Sequence, residues 1–182
     1  LPGLKYLLHC NAASAAGGAS ASGPGIVAVT EDHNLLIHAS ESLTLNRTLV
    51  GYNDEITDLK FVAKPPSSAA TDGGNASGTA PAQLAVATNS EQIRLFELGS
   101  MGCRLLTGHS DVVLCVDVSR SGSLIASASK DSTVRIWDAI VGNCVGRCVG
   151  HLEAVGAVAF GGKEEARGLS LIHISEPTRL GM

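Results

Sequence analysis

Aromatic side chains are scarce in this chain, only 3% of its 182 residues. With glycine and alanine abundant, little bulky material is left for a large core, and much of the chain is expected to pack weakly. A strong excess of charge of either sign is missing too. Thirteen Lys and Arg stand against 17 Asp and Glu, a net charge of −4. Without a basic stripe, charge-driven binding to nucleic acid is not expected as a main mode of action. No apolar run is long enough to span a bilayer, and no charged-then-apolar leader opens the chain, so no membrane association is expected. Its first residue is Leu1, which reads as a piece of a longer protein. The five cysteines (Cys10, Cys103, Cys115, Cys144 and Cys148) contain no Cys-x-x-Cys pair. No histidine is spaced to complete a zinc site with Cys144 and Cys148, so neither metal nor cofactor is expected. Reduced, structural thiols fit an intracellular protein, and Cys115, inside an apolar run, reads as a small hydrophobe. Gly17-Gly18 and Gly73-Gly74 have no strand-to-helix setting that would make them phosphate loops, and no small-molecule substrate is expected.

What is present is concentrated in Gly108–Asp138, GHSDVVLCVDVSRSGSLIASASKDSTVRIWD. Three short β-like runs, Val113–Val118, Leu124–Ser129 and Thr133–Trp137, are parted by Arg-Ser-Gly and Lys-Asp-Ser turns. His109, a serine of the second run (Ser127 or Ser129), Asp131 and Trp137 are types that can link into one buried hydrogen-bond chain. An indole N–H only donates and a carboxylate only accepts, while hydroxyl and imidazole can do both. The same set contains the residue types of a hydrolase triad. No Gly-x-Ser-x-Gly elbow or other nucleophile context accompanies it, so no catalytic residue is assigned and a non-enzymatic role is expected.

The segment recurs. Gly108-His109 returns as Gly150-His151, a step of 42 residues, and upstream as Gly51-Tyr52. Asp131 precedes Trp137 by six residues and Gly150 by nineteen, and Asp32 precedes His38 and Gly51 by the same intervals. In the intervening unit Ser90 falls where the aspartate belongs and Phe96 where the tryptophan belongs. Asp32, His38, Tyr52, Ser90 and Phe96 are thus the irregular positions of a repeating four-strand unit. Strands are expected over Leu4–His9, Ile26–Thr30, Leu35–His38 and Thr44–Leu49 in a first unit. A second takes Ile56–Phe61, Gln83–Thr88, Gln92–Phe96 and Cys103–Thr107. A third adds Cys144–Val149 to the three runs above, and a fourth opens at Ala154–Phe160 and then stops. Two low-complexity tracts at 11–23 and 64–81 are read as loop inserts between first and second strands.

A Gly-His opening, a Trp-Asp close and this period are similar to the WD40 repeat. The resemblance implies an all-β fold, a partial β-propeller of about three four-stranded antiparallel blades plus one strand of a fourth. A closer resemblance lies in Thr30–Phe61, with Asp32-His33-Asn34-Leu35-Leu36, Gly51-Tyr52 and Glu55-Ile56-x-Asp58. Ala87-Thr88-Asn89-Ser90, Phe96-Glu97-Leu98, Gly108–Leu114, Ala128–Asp131 and Val134–Trp137 continue it in the same order. This pattern resembles the transducin-beta-like WD-repeat family of the small-subunit processome. The family implies tandem propellers, with residues 1–50 as the last blade of a first propeller and 51–160 as opening blades of a second. It also implies a scaffold in pre-rRNA processing and ribosome biogenesis, in the nucleolus of the nucleus. The implied partners are other processome proteins, with contact to pre-ribosomal RNA mainly indirect. A generic WD40 adaptor in signalling or ubiquitin-ligase substrate recruitment is the alternative. Residues 161–182 are set apart as a non-native tail, because Leu169–Arg179, LSLIHISEPTR, resembles translated sequencing adapter.

Overall fold

The computed structural model describes residues 4–9, 25–39, 42–50, 54–62, 83–98, 100, 102–161 and 171–172. Every regular element among them is a β-strand. β1 (Leu4–His9), β2 (Gly25–Thr30), β3 (Leu35–Ala39) and β4 (Leu45–Leu49) form a first sheet in that order. β5 (Ile56–Val62), β6 (Gln83–Thr88), β7 (Gln92–Glu97) and β8 (Cys103–Thr107) form a second. β9 (Val113–Val118), β10 (Leu124–Ser129), β11 (Val134–Asp138) and β12 (Cys144–Cys148) form a third. All neighbours are antiparallel, so each sheet is a meander of hairpins. These twelve strands match the expected ones to within one residue at either end. The two inserts lie outside the described residues.

The fourth unit differs. Only β13 (Ala159–Phe160) is a strand there, and it pairs antiparallel with β14 (Leu171–Ile172) of the tail. A strand with an open edge presents unpaired N–H and C=O groups, and an adjacent apolar segment can take them up. Residues 154–158 instead cross the third sheet as irregular chain. Val155 and Val158 are buried there against Ala126, Ala128, Val134 and Ile136.

Burial within each sheet falls from the inner strands to the outer one. Along β6 and β10 every residue after the first is buried, because both faces are covered, for β6 by the neighbouring sheets and for β10 by the second sheet and residues 154–158. The fourth strands β4, β8 and β12 are mostly exposed. The second and third sheets share one core, in which Ile93, Leu95 and Leu106 meet Val113, Val116, Ile125 and Trp137. Hydrogen bonds tie this seam as well: Thr57 Oγ1–H donates to Val113 O at 2.8 Å and Val116 N–H to Asp58 Oδ2 at 3.0 Å. The first sheet meets the second through Val27, Val29 and Leu35, packed with Ile56, Leu84 and Phe96. The turn from second to third strand repeats as well. His33 (φ 60°) and Ser132 (φ 61°), each one residue past the aligned aspartate, are both left-handed.

Candidate functional site

The third sheet gathers His109, Ser127, Asp131 and Trp137 from four separate segments. His109 lies on the entry loop, Ser127 on β10, Asp131 in the β10–β11 turn and Trp137 on β11. The register places Ile125 opposite Trp137 and Ser127 opposite Arg135, so serine and indole share one sheet face. Trp137 Nε1–H donates to Ser127 Oγ at 2.8 Å, and Ser127 Oγ lies 2.7 Å from His109 Nε2. His109 Nδ1 lies 2.8 Å from Asp131 Oδ2. Because the carboxylate can only accept, Nδ1 carries the ring proton and Nε2 accepts from the serine hydroxyl. The bonds then run in one direction, from tryptophan through serine and histidine to aspartate. His109 and Trp137 also meet edge to face, with ring centroids 6.2 Å apart.

Asp131 collects further donors: Ser110 N–H at 3.1 Å, Thr133 N–H at 2.9 Å and Thr133 Oγ1–H at 2.6 Å. Burial alone would raise its pKa, but the bonds from Thr133, His109 and Ser110 outweigh burial and hold the carboxyl well below its usual range. For His109 burial is the largest influence and lowers its pKa, against the opposing pull of Asp131. Both directions describe a neutral imidazole bonded to an ionised carboxylate rather than an ion pair. The second candidate serine does another job. Ser129 Oγ–H donates to Asp111 O at 3.0 Å and Ser129 Oγ accepts from Asp131 N–H at 3.1 Å, so it fixes the turn and does not touch the imidazole.

The serine–histidine–aspartate connectivity is that of a hydrolytic triad, and its surroundings decide what it can do. Ser127 is 0% exposed and its oxygen already accepts the indole N–H. A nucleophile must meet a substrate carbon, and this hydroxyl faces only protein. A surface depression of about 150 Å³ is lined by Gln83, Leu95, Glu97, Gly102, Cys103 and Arg104, and holds none of these side chains. Among the described residues no group of three or more His, Cys, Asp and Glu could hold a metal ion. Cys103, Cys115, Cys144 and Cys148 are free thiols. Burial pushes Cys115 up to about 11, as expected of a small apolar filler.

The irregular positions behave differently. Asp32 is exposed at its turn, and His38 Nδ1 lies 3.2 Å from Leu43 O at the surface, so the structure does not bring the pair together. Tyr52 lies outside the described residues. Phe96 is 3% exposed within the core shared by the first two sheets. Ser90 belongs to a polar cluster that sequence reasoning missed. Arg94 donates to Asp54 Oδ2 at 2.7 Å and to Thr88 Oγ1 at 2.9 Å, and Thr88 Oγ1 lies 2.8 Å from Ser90 Oγ. The one available signal was that Arg94 and Arg135 occupy the same place two residues before the aromatic, with Asp54 two residues ahead of β5.

Comparison with known proteins adds to this geometry. Residues 102–138 match the family model described as WD domain, G-beta repeat, so the segment carrying the network is a WD40 repeat. The chain is similar to Transducin beta-like protein 3 of Mus musculus, 35% identical over 162 residues, covering 87% of this chain and 18% of that protein. It is likewise 35% identical over 157 residues to Transducin beta-like protein 3 of Homo sapiens, covering 85% of this chain and 17% of that protein. Nuclear distribution protein nudF of Aspergillus niger is 33% identical over 119 residues, covering 64% of this chain and 24% of that protein. The chain thus spans less than a fifth of the length of its Transducin beta-like relatives.

Proposed function

We propose that this WD40-repeat chain is a non-enzymatic scaffold for protein–protein assembly in the small-subunit processome, acting in pre-rRNA processing in the nucleolus. The observation that carries this reading is the similarity to Transducin beta-like protein 3 over 87% of the chain. That likeness reaches well beyond the single repeat at 102–138, and a generic adaptor would need to share only the repeat. The tandem-propeller arrangement implied by the Thr30–Phe61 resemblance belongs to the same proposal. In it, residues 1–50 close one propeller, 51–160 open the next and 161–182 stand outside both. Support comes from the seams, since the second and third sheets are joined by hydrogen bonds as well as core, while the contact described between the first and second is apolar. The four network residues serve in this reading as a structural clasp that fixes the entry loop and turn of one blade. A non-catalytic role is supported by the burial of Ser127.

The test uses the full-length protein. Tagged at its endogenous locus, it should concentrate in nucleoli and co-purify with other processome proteins. Its depletion should cause unprocessed small-subunit rRNA precursors to accumulate. Normal precursor levels after depletion, with kinase or ubiquitin-ligase subunits as the main co-purifying proteins, would replace this reading with the adaptor one.

A further inference from the structure

Two arginines hold equivalent places in adjacent sheets, and only one is given an acid. In the second sheet Arg94 lies opposite Leu105 on the neighbouring strand, and its guanidinium is answered by Asp54 at 2.7 Å. In the third sheet Arg135 lies directly opposite a second cation, Arg147. Like charges directly opposite on neighbouring strands destabilise a sheet. The residue equivalent to Asp54 is Asp111, and its Oδ1 turns back to accept from Val112 N–H at 2.7 Å. Among the described residues no carboxylate pairs with Arg135 or Arg147. Arg135 Nε is buried with no partner among the described residues, and Nη1 makes a weak bond to Cys144 Sγ at 3.7 Å.

The Arg135 guanidinium is also held in place. It lies over Gly108, where an added Cβ would stand 2.8 Å from Arg135 Nη1. A glycine at that point lets the planar group rest on the backbone, while Arg147 beside it stays exposed on β12. A half-buried, positioned guanidinium beside an exposed one gathers two cationic groups at one place on the sheet, which suits recognition of an anion.

We propose that the Arg135–Arg147 pair is a docking site for a carboxylate side chain of an acidic segment in a partner protein, which would take the part that Asp54 takes for Arg94. A carboxylate fits better than a nucleic-acid backbone. Tracking a phosphate backbone calls for an extended basic stripe, which the sequence lacks, whereas a single carboxylate needs only a local pair of cations. The site is argued from residues of this chain alone and does not depend on the processome reading.

The experiment measures fluorescence anisotropy of a fluorescein-labelled octaglutamate peptide with full-length protein, and in parallel of a labelled single-stranded RNA. Arg147 is exposed, so Arg147→Gln should fold, and matching thermal melts of variant and wild type check that it does. Octaglutamate binding should weaken roughly tenfold in Arg147→Gln, the loss of about one charge-assisted hydrogen bond. Arg147→Lys should recover part of it, and Arg47→Gln on β4 should leave it unchanged. Equal binding by Arg147→Gln and wild type would overturn the proposal, as would an equal loss in Arg47→Gln. RNA binding lost in Arg147→Gln while octaglutamate binding persists would also overturn it and assign the pair to nucleic acid.

Discussion

Replacing Asp131 with alanine removes the acceptor at the end of the buried chain. The Asp131 side chain is 4% exposed and accepts from His109, from Ser110 N–H and from both donors of Thr133. Ser110 is exposed and its N–H can turn to water. The His109 ring N–H and the N–H and hydroxyl of Thr133 cannot, and each buried donor left unpaired costs roughly 1–3 kcal/mol. Thr133 Oγ1 lies 3.4 Å from His109 Nδ1 and offers the ring a poor substitute acceptor. The expected net loss is therefore about 3 kcal/mol, the low end of the summed range, because small shifts let some donors find other acceptors. Hydrogen exchange followed by mass spectrometry on the intact protein reads this locally, as faster exchange of peptides covering 109–137. The loss should also be shared with His109. Asp131→Ala combined with His109→Ala should cost clearly less than the two separately, because both break one bond of the same chain. A loss below about 0.5 kcal/mol, of the size seen for unremarkable surface substitutions, would refute the network argument, and so would strict additivity.

Phe96→Ala should destabilise the second sheet by about 3–5 kcal/mol in a urea titration of the complete domain, since Phe96 fills a core rather than a hydrogen-bond role. Gly108→Ala should cost about 1–3 kcal/mol by overpacking, because its Cβ would stand 2.8 Å from Arg135 Nη1 and 3.2 Å from Trp137 Cη2; an unchanged melting temperature would contradict this. Acid should loosen the third sheet in two steps. His109 has its folded pKa lowered, so the unfolded chain binds more protons and stability falls as pH drops below about 6.5. Asp131, also lowered in the folded state, adds a second loss as pH falls below its unfolded value of 3.8. Melting temperature measured from pH 8 to 3 should decline through both windows, and the first decline should vanish in a His109→Gln variant that still folds.

The frame of this molecule was legible in the residues because it rests on local periodicity. The 42-residue recurrence of Gly-His, the turn residues between short apolar runs and the alternation of Val134 and Ile136 with Thr133 and Arg135 depend only on near neighbours in sequence. Twelve strands could be placed to within a residue on that basis. The choice between Ser127 and Ser129 could not be made this way. They are two apart on one strand, so alternation puts both on the same face, and only three-dimensional reach selects Ser127 for the imidazole and leaves Ser129 to the turn. Asp32 and His38 show the converse: the spacing repeats, but in a half-exposed setting no buried chain forms. The pairing of Arg94 with Asp54, 40 residues away, was likewise beyond spacing, since an arginine on β7 reads as solvated until Asp54, ahead of β5, comes within reach of it. Sequence set the repeat because hydrophobic alternation and turn chemistry act over a few residues. Which polar groups meet was decided only when the sheets packed, because a hydrogen bond needs its partners within about 3 Å whatever their separation along the chain.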